Sequence, residues 1–240
     1  SPSIENVTLK WSAGAGIRIS NTAAGASANP LLTNVTLVSN SGAGLRIERG
    51  ATASISGLTA TGNAGPAISQ DVSTTLASAT GLIATNNGIN GIELRDGCVY
   101  VPTTWKRTDI PYFATGNVCV AEGGSNGTLA IAPGVTVRFS PGKGLDVGYG
   151  VPGLLSAVGT ETLPIVLTSN APSPAPGAWR GISFANQAMV SSALRWARVE
   201  WAGSGGAGIL IQGASPTLEK VTVSGSSGKG ISITGAASNV

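Results

Sequence analysis

Ser215-Pro-Thr-Leu-Glu-Lys-Val-Thr-Val223, followed at once by Ser224-Gly-Ser-Ser-Gly-Lys-Gly-Ile-Ser-Ile233, is the stretch that decides the fold. Apolar residues stand at Leu218, Val221 and Val223. Val221-Thr222-Val223 alternates with a period of two, the pattern of a short strand with Thr222 outward. Small turn residues intervene before a second alternating run, Ile231-Ser232-Ile233. Strands this short, punctuated by Gly, Asn and Ser, suit a chain that turns several times per coil. The same design recurs along the sequence. An apolar residue is followed ten residues later by the start of the second run at Val7/Ile17, Val35/Leu45, Leu58/Ile68, Leu82/Ile92, Val199/Ile209 and Val221/Ile231. The distance between units ranges from 22 residues (Val199 to Val221) to 28 (Val7 to Val35), as expected of coils of one design with loop insertions.

Three further rows keep this phase. One residue after each strand position stand Thr8, Thr36, Thr59, Ile83, Glu200 and Thr222, an outward and mostly threonine row. Five residues after it come Ser12, Asn40, Asn63, Asn87, Ser204 and Ser226, turn residues that can bond local backbone and, when stacked, one another. Nine residues after it come Gly16, Gly44, Ala67, Gly91, Gly208 and Gly230, marking a tight corner. The pattern predicts an all-β parallel β-helix of roughly ten coils stacked at ~4.8 Å. Its expected plan is coils over residues 1–97, a junction at 98–127 and further coils over 128–240, in one continuous solenoid. On this phase Trp196 and Trp201 fall at core positions. Arg18, Arg46 and Glu93 share an outward row, so Arg18 and Arg46 are candidate surface ligand contacts. Trp11, Trp105 and Tyr112 fall off the core rows and are candidate aromatic platforms for sugars.

Composition removes several functions. Charged residues make up 10% of the 240, the net charge is +3, and no Lys/Arg run stands out, so nucleic acid is not an expected partner. No apolar stretch approaches a membrane span, and with no leader visible Ser1 is expected to begin either a mature chain or a cut fragment. Asn6-Val-Thr8 and Asn34-Val-Thr36 fall on ladder positions and read as structural. Histidine is absent, which excludes a His-based triad, and no metal site or cofactor is expected. The four aspartates, Asp71, Asp96, Asp109 and Asp146, show no local pairing of the kind acid–base hydrolysis or Ca²⁺-assisted elimination needs, so no catalytic residue is assigned and no enzyme is expected. Cys98 and Cys119 are 21 residues apart, close to one coil; they are expected to face each other across adjacent coils as a disulfide, which implies an oxidising compartment.

The rhythm breaks at residues 98–127, where two prolines, Trp105, Tyr100 and Tyr112 gather. A different coil pattern follows: Gly127-Thr-Leu-Ala-Ile-Ala-Pro-Gly-Val-Thr-Val-Arg-Phe139, then Pro164-Ile-Val-Leu-Thr-Ser-Asn170, then Gly177-Ala-Trp-Arg-Gly-Ile-Ser-Phe184. In that order these motifs resemble the secreted bacterial right-handed parallel β-helix repeat proteins of the pectate-lyase-like superfamily. The resemblance implies a right-handed solenoid in a secreted, cell-surface setting. It leaves function open, because that superfamily holds lyases, hydrolases, adhesins and structural surface proteins.

A second periodicity overlies the first. Ser1-Pro-Ser-Ile-Glu-Asn-Val-Thr-Leu9 matches Ser215-Pro-Thr-Leu-Glu-Lys-Val-Thr-Val223 at an offset of 214, and the match continues through Ile17/Ile231 and Ile19/Ile233. The expected function is therefore a structural or adhesive extracellular module in a tandem array or head-to-tail filament, with adjacent blocks or copies of itself as partners. The alternative is a carbohydrate-binding or lyase-like carbohydrate-active β-helix, with surface glycans as partners.

Overall fold

The computed structural model describes residues 1–22, 27–121 and 125–235. These residues hold twenty-three β-strands and no α-helix. The strands pair in parallel and form a β-solenoid of about nine turns. Among the described residues no helix is long and apolar enough to cross a membrane. The chain divides into two compact units, Ser1–Arg95 with Asp109–Phe113, and Asp96–Thr108 with Ala114–Val240.

In the first unit, Ser3–Glu5 and Thr8–Lys10 both lie against Leu31–Val38, which is followed by Ser54–Thr61 and Ser78–Thr85. A second face stacks Ile17–Ser20, Leu45–Glu48, Pro66–Gln70 and Ile89–Leu94. Val35 faces Leu58, which faces Leu82, and Leu45 faces Ile68, which faces Ile92, as the spacing predicts. Each long strand is really two short ones joined at a corner. The corner residue takes a left-handed backbone: Asn34 (φ 50°), Gly57 (φ 80°) and Gly81 (φ 64°). Asn tolerates that conformation and Gly adopts it freely, which explains the residue types in this row. A second left-handed corner follows at Trp11, Ser39, Gly62 and Asn86. The predicted tight row holds as well: a Cβ on Gly44 would lie 2.7 Å from the Ala67 carbonyl oxygen. Leu32, Val35, Leu37, Leu45, Ile47, Leu58, Ile68 and Ile92 are buried, each contributing roughly 1.5–3 kcal/mol by leaving water.

In the second unit, one face stacks Gly97–Val99, Val118–Val120, Gly144–Val147, Gly181–Phe184, Ala207–Gln212 and Lys229–Thr234. Ala193–Glu200 carries Gly153–Val158 on its first half and Ile165–Ser169 on its second, with left-handed Trp196 (φ 48°) as the corner; Thr217–Ser224 covers its other side. Inside, Phe139 and Trp179 stack with centroids 4.3 Å apart, and Trp179 Nε1 donates to the Glu200 carbonyl at 2.7 Å, satisfying the polar end of a buried indole.

One expected phase is wrong by two residues. Ala197 faces Val221 and Val199 faces Val223, while Ile209 still faces Ile231. The turn after Ala193–Glu200 is therefore two residues longer than the turn after Thr217–Ser224. Arg198, not Glu200, stands in the outward row with Thr222. Ala202 follows the Trp201 corner as Ser226 follows Gly225, so Ser204 leaves the turn row. Trp196 and Trp201 move from expected core positions to left-handed corners (φ 48° and 62°), where each is half-buried.

Candidate functional site

The turn row of the first unit is an asparagine ladder. Asn40 Nδ2 donates to Asn63 Oδ1 at 2.8 Å, and Asn63 Nδ2 donates to Asn87 Oδ1 at 2.7 Å. The same carboxamide oxygens accept backbone N–H bonds from the preceding coil: Ser12 to Asn40, Asn40 to Asn63 and Asn63 to Asn87. Asn63 Nδ2 also reaches the Leu37 carbonyl at 3.0 Å. Asn40 and Asn63 are buried, so this ladder satisfies groups that would otherwise be stranded.

On the second face, Arg18 faces Arg46, Arg46 faces Ser69, and Ser69 faces Glu93, the expected outward row. Both guanidinium groups close on one carboxylate. Arg18 Nε donates to Glu48 Oε1 at 2.6 Å, and Arg46 Nε donates to Glu48 Oε2 at 2.7 Å. Hydrogen bonds from Arg46 and then Arg18 lower the Glu48 pKa from its ordinary 4.5 to about 2, against the opposing effect of burial. Beside this cluster, Arg95 donates to Asp71 and Ser69, both at 2.6 Å, and Ser69 donates to Glu93 at 2.6 Å. Arg18 and Arg46 thus spend their charge on Glu48 within the coil stack.

The aromatic candidates separate sharply. Trp11 is 72% exposed, with Lys10 Nζ 4.3 Å above its ring. Trp105 and Tyr112 are buried, at 0% and 2% exposed, and offer no surface to a ligand. The reason is that the junction supplies strands of its own. Trp105 lies in Thr103–Trp105 opposite Ile131, an inward position, and Tyr112 opens the strand Tyr112–Ala114 with its side chain inward.

In the second unit, an outward row runs Cys98, Cys119, Asp146, Ser183, Leu210 and Ser232. Cys98 and Cys119 form the expected disulfide between adjacent coils, with Cα atoms 4.4 Å apart. Arg180 pairs with Asp146, and its guanidinium lies so close over Gly144 that a Cβ there would sit 2.7 Å from Nε. A shallow pocket opens beside this pair, lined by Asp146, Tyr149, Arg180, Ser183 and Leu210. Ser183 Oγ is buried in its wall without a hydrogen-bond partner. Sequence reading missed this pocket, because the 37 residues separating paired Gly144 and Gly181 hide the row that joins Asp146 to Ser183. No group of three metal-ligating side chains forms among the described residues.

The 214-residue offset is built into the backbone. Asn6 and Lys220 both turn at φ 54°, and Trp11 and Gly225 turn at φ 60° and 65°. Ile4, Val7 and Leu9 are half-buried, whereas Leu32, Val35 and Leu37, one coil further, are fully buried. Likewise Ile231 and Ile233 are 44% and 72% exposed, although Ile209 and Ile211 beneath them are buried.

A segment of 77 residues, 32% of the chain, is 40% identical to Protein bark beetle of Drosophila melanogaster and spans 2% of that protein's length. No solved structure matches the chain. Residues 1–106 match the family model described as a right handed beta helix region, in keeping with the parallel coils the structure shows.

Proposed function

We propose that this chain is a non-enzymatic, extracellular structural or adhesive β-helix module that works end to end with adjoining blocks or copies of itself, as a tandem array or filament. One observation carries the reading. The coil of residues 1–20 and the coil of 215–234 repeat one design, and each leaves apolar side chains part-uncovered: Ile4, Val7 and Leu9 in the first, Ile231 and Ile233 in the second. Open coil faces combine bare strand edges with a slice of core, and a heterologous contact between them propagates without closing. The cystine supports an oxidising, secreted setting. Each aspartate is engaged locally: Asp71 by Arg95, Asp146 by Arg180, Asp96 by the Asn117 N–H and Asp109 by the Leu82 N–H. That supports a scaffold without a catalytic centre. Kinship with the secreted bacterial proteins of the pectate-lyase-like superfamily belongs to the same reading. Electron microscopy of concentrated protein is expected to show thin rods longer than one chain. Isolated particles at every concentration, with slow amide exchange in Lys229–Thr234, would overturn the proposal.

A second reading, glycan binding, is favoured by the unpartnered Ser183 Oγ beside Asp146, Arg180 and exposed Tyr149. A carboxylate, a guanidinium and an aromatic face suit vicinal hydroxyls. Titration calorimetry with neutral and acidic oligosaccharides tests it; Tyr149→Ala should abolish any heat, and no heat with the parent chain rejects it.

A further inference from the structure

We infer that the open face of the coil Thr217–Thr234 is a seat for a coil of the Leu31–Glu48 design. The inference deepens the stacked-module reading and rests on it. The two copies of the repeated coil are covered on opposite sides. In the second unit, Thr217–Ser224 and Lys229–Thr234 lie on Ala193–Glu200 and Ala207–Gln212. In the first unit, the equivalent strands Ser3–Glu5, Thr8–Lys10 and Ile17–Ser20 are covered by Leu31–Val38 and Leu45–Glu48. The molecule therefore contains an image of what fits the uncovered side.

Transposing that image by 214 residues gives the register. Ile4 faces Leu32, Leu9 faces Leu37, Ile17 faces Leu45 and Ile19 faces Ile47. In the proposed seat Leu218 meets Leu32, Val223 meets Leu37, Ile231 meets Leu45 and Ile233 meets Ile47, apolar against apolar at every inward position. Outward, Glu5 faces Thr33, so Glu219 meets a threonine. At the corner, Asn34 Nδ2 donates to Asn6 Oδ1 at 3.1 Å, and Lys220 would meet Asn34 there. A coil of the 1–20 design in the same seat sets Glu5 directly against Glu219. Like charges opposite each other on neighbouring strands are destabilising. Arg195 pairs with Glu219 at 3.1 Å and offsets one of these carboxylates, but the second is left facing it, which favours the Leu31–Glu48 design over a simple copy of the first coil.

Two tandem chains test the choice, read by hydrogen exchange in Thr217–Ser224 and Lys229–Thr234. In the first, residues 21–240 follow Thr234 directly, keeping the 214-residue phase; in the second, residues 1–240 follow Val240. Exchange in those strands is expected to slow by about 10-fold or more in the first, because local opening then breaks a covered coil, and to change far less in the second. Equal slowing in both, or slowing in the second alone, overturns the selected seat and leaves stacking intact. Slowing in neither overturns both. Should the long tandem fail to fold, the full chain to Thr234 extended by residues 21–48 alone gives the same readout, and unchanged exchange there overturns the inference.

Discussion

Trp201 lies across Gly225 on the next coil, so close that a Cβ on Gly225 would sit 2.6 Å from Trp201 Cε3. Both residues occupy the same left-handed corner, at φ 62° and 65°. Gly225→Ala thus adds a clash to a strained backbone and is expected to cost roughly 2–4 kcal/mol, adding left-handed strain to overpacking. Urea denaturation checks the value. Trp201→Gly in the same chain should recover the overpacking part, and a double variant no more stable than Gly225→Ala would refute the contact.

Asn63 is the central rung of its ladder. Its Oδ1 accepts from Asn40 Nδ2 and the Asn40 N–H, and its Nδ2 donates to Asn87 Oδ1 and the Leu37 carbonyl. Asn63→Leu leaves several of these buried groups unpaired and should destabilise by about 2–4 kcal/mol, at roughly 1–3 kcal/mol for each stranded group after partial relaxation. Asn87→Leu, nearer the surface, should cost less. Thermal melts of the two variants give the comparison, and equal losses would argue against the ladder.

What could be read from sequence depended on whether spacing alone carried the register. Val35, Leu58 and Leu82 sit at near-constant intervals, and their pairing follows; so does the asparagine row, since a rung needs only the coil length. The same logic failed at Val199, because a longer turn compensates a shifted strand and keeps Ile209 in place. That slip put Trp196 and Trp201 in the core on paper, when both are corner residues. Trp105 and Tyr112 were hidden for another reason. Their strands are three residues long, too short for alternation to separate inside from outside. The Asp146–Ser183 row was illegible because the turn of the coil between them, which carries Gly153–Val158 and Ile165–Ser169, takes 37 residues from Gly144 to Gly181, more than any repeat read from the sequence.

Glu48 should make the first unit sensitive to acid. Its folded pKa, about 2, lies below the ordinary 4.5, so its contribution is complete above pH 4.5 and is lost as pH falls toward 2. Because both arginines are substantially exposed, the contribution is that of a surface network, about 1 kcal/mol. Glu48→Gln should flatten the melting temperature between pH 4.5 and 2 and change it only slightly in slope above that range. An unchanged acid slope in the variant would assign the sensitivity elsewhere.

Reducing Cys98–Cys119 opens a crosslink of sequence separation 21. On a chain-entropy view this removes about 3 kcal/mol of stability. Denaturation with and without reductant, alongside a Cys98→Ser/Cys119→Ser chain, checks it; a variant as stable as the oxidised parent would show that the coil contacts around the cystine suffice.

The cystine also joins two neighbouring parallel strands at directly opposed residues, Cys98 and Cys119. Within the second unit it therefore points along the direction in which strands hydrogen-bond to one another. A pull in that direction loads the ladder bonds of a coil in tension, and each of them is individually weak and reversible. At this one rung the load meets a covalent bond. Under single-molecule stretching of the second unit, Val118–Val120 should part from Gly144–Val147 before Gly97–Val99 separates from Val118–Val120, and adding reductant should erase that order.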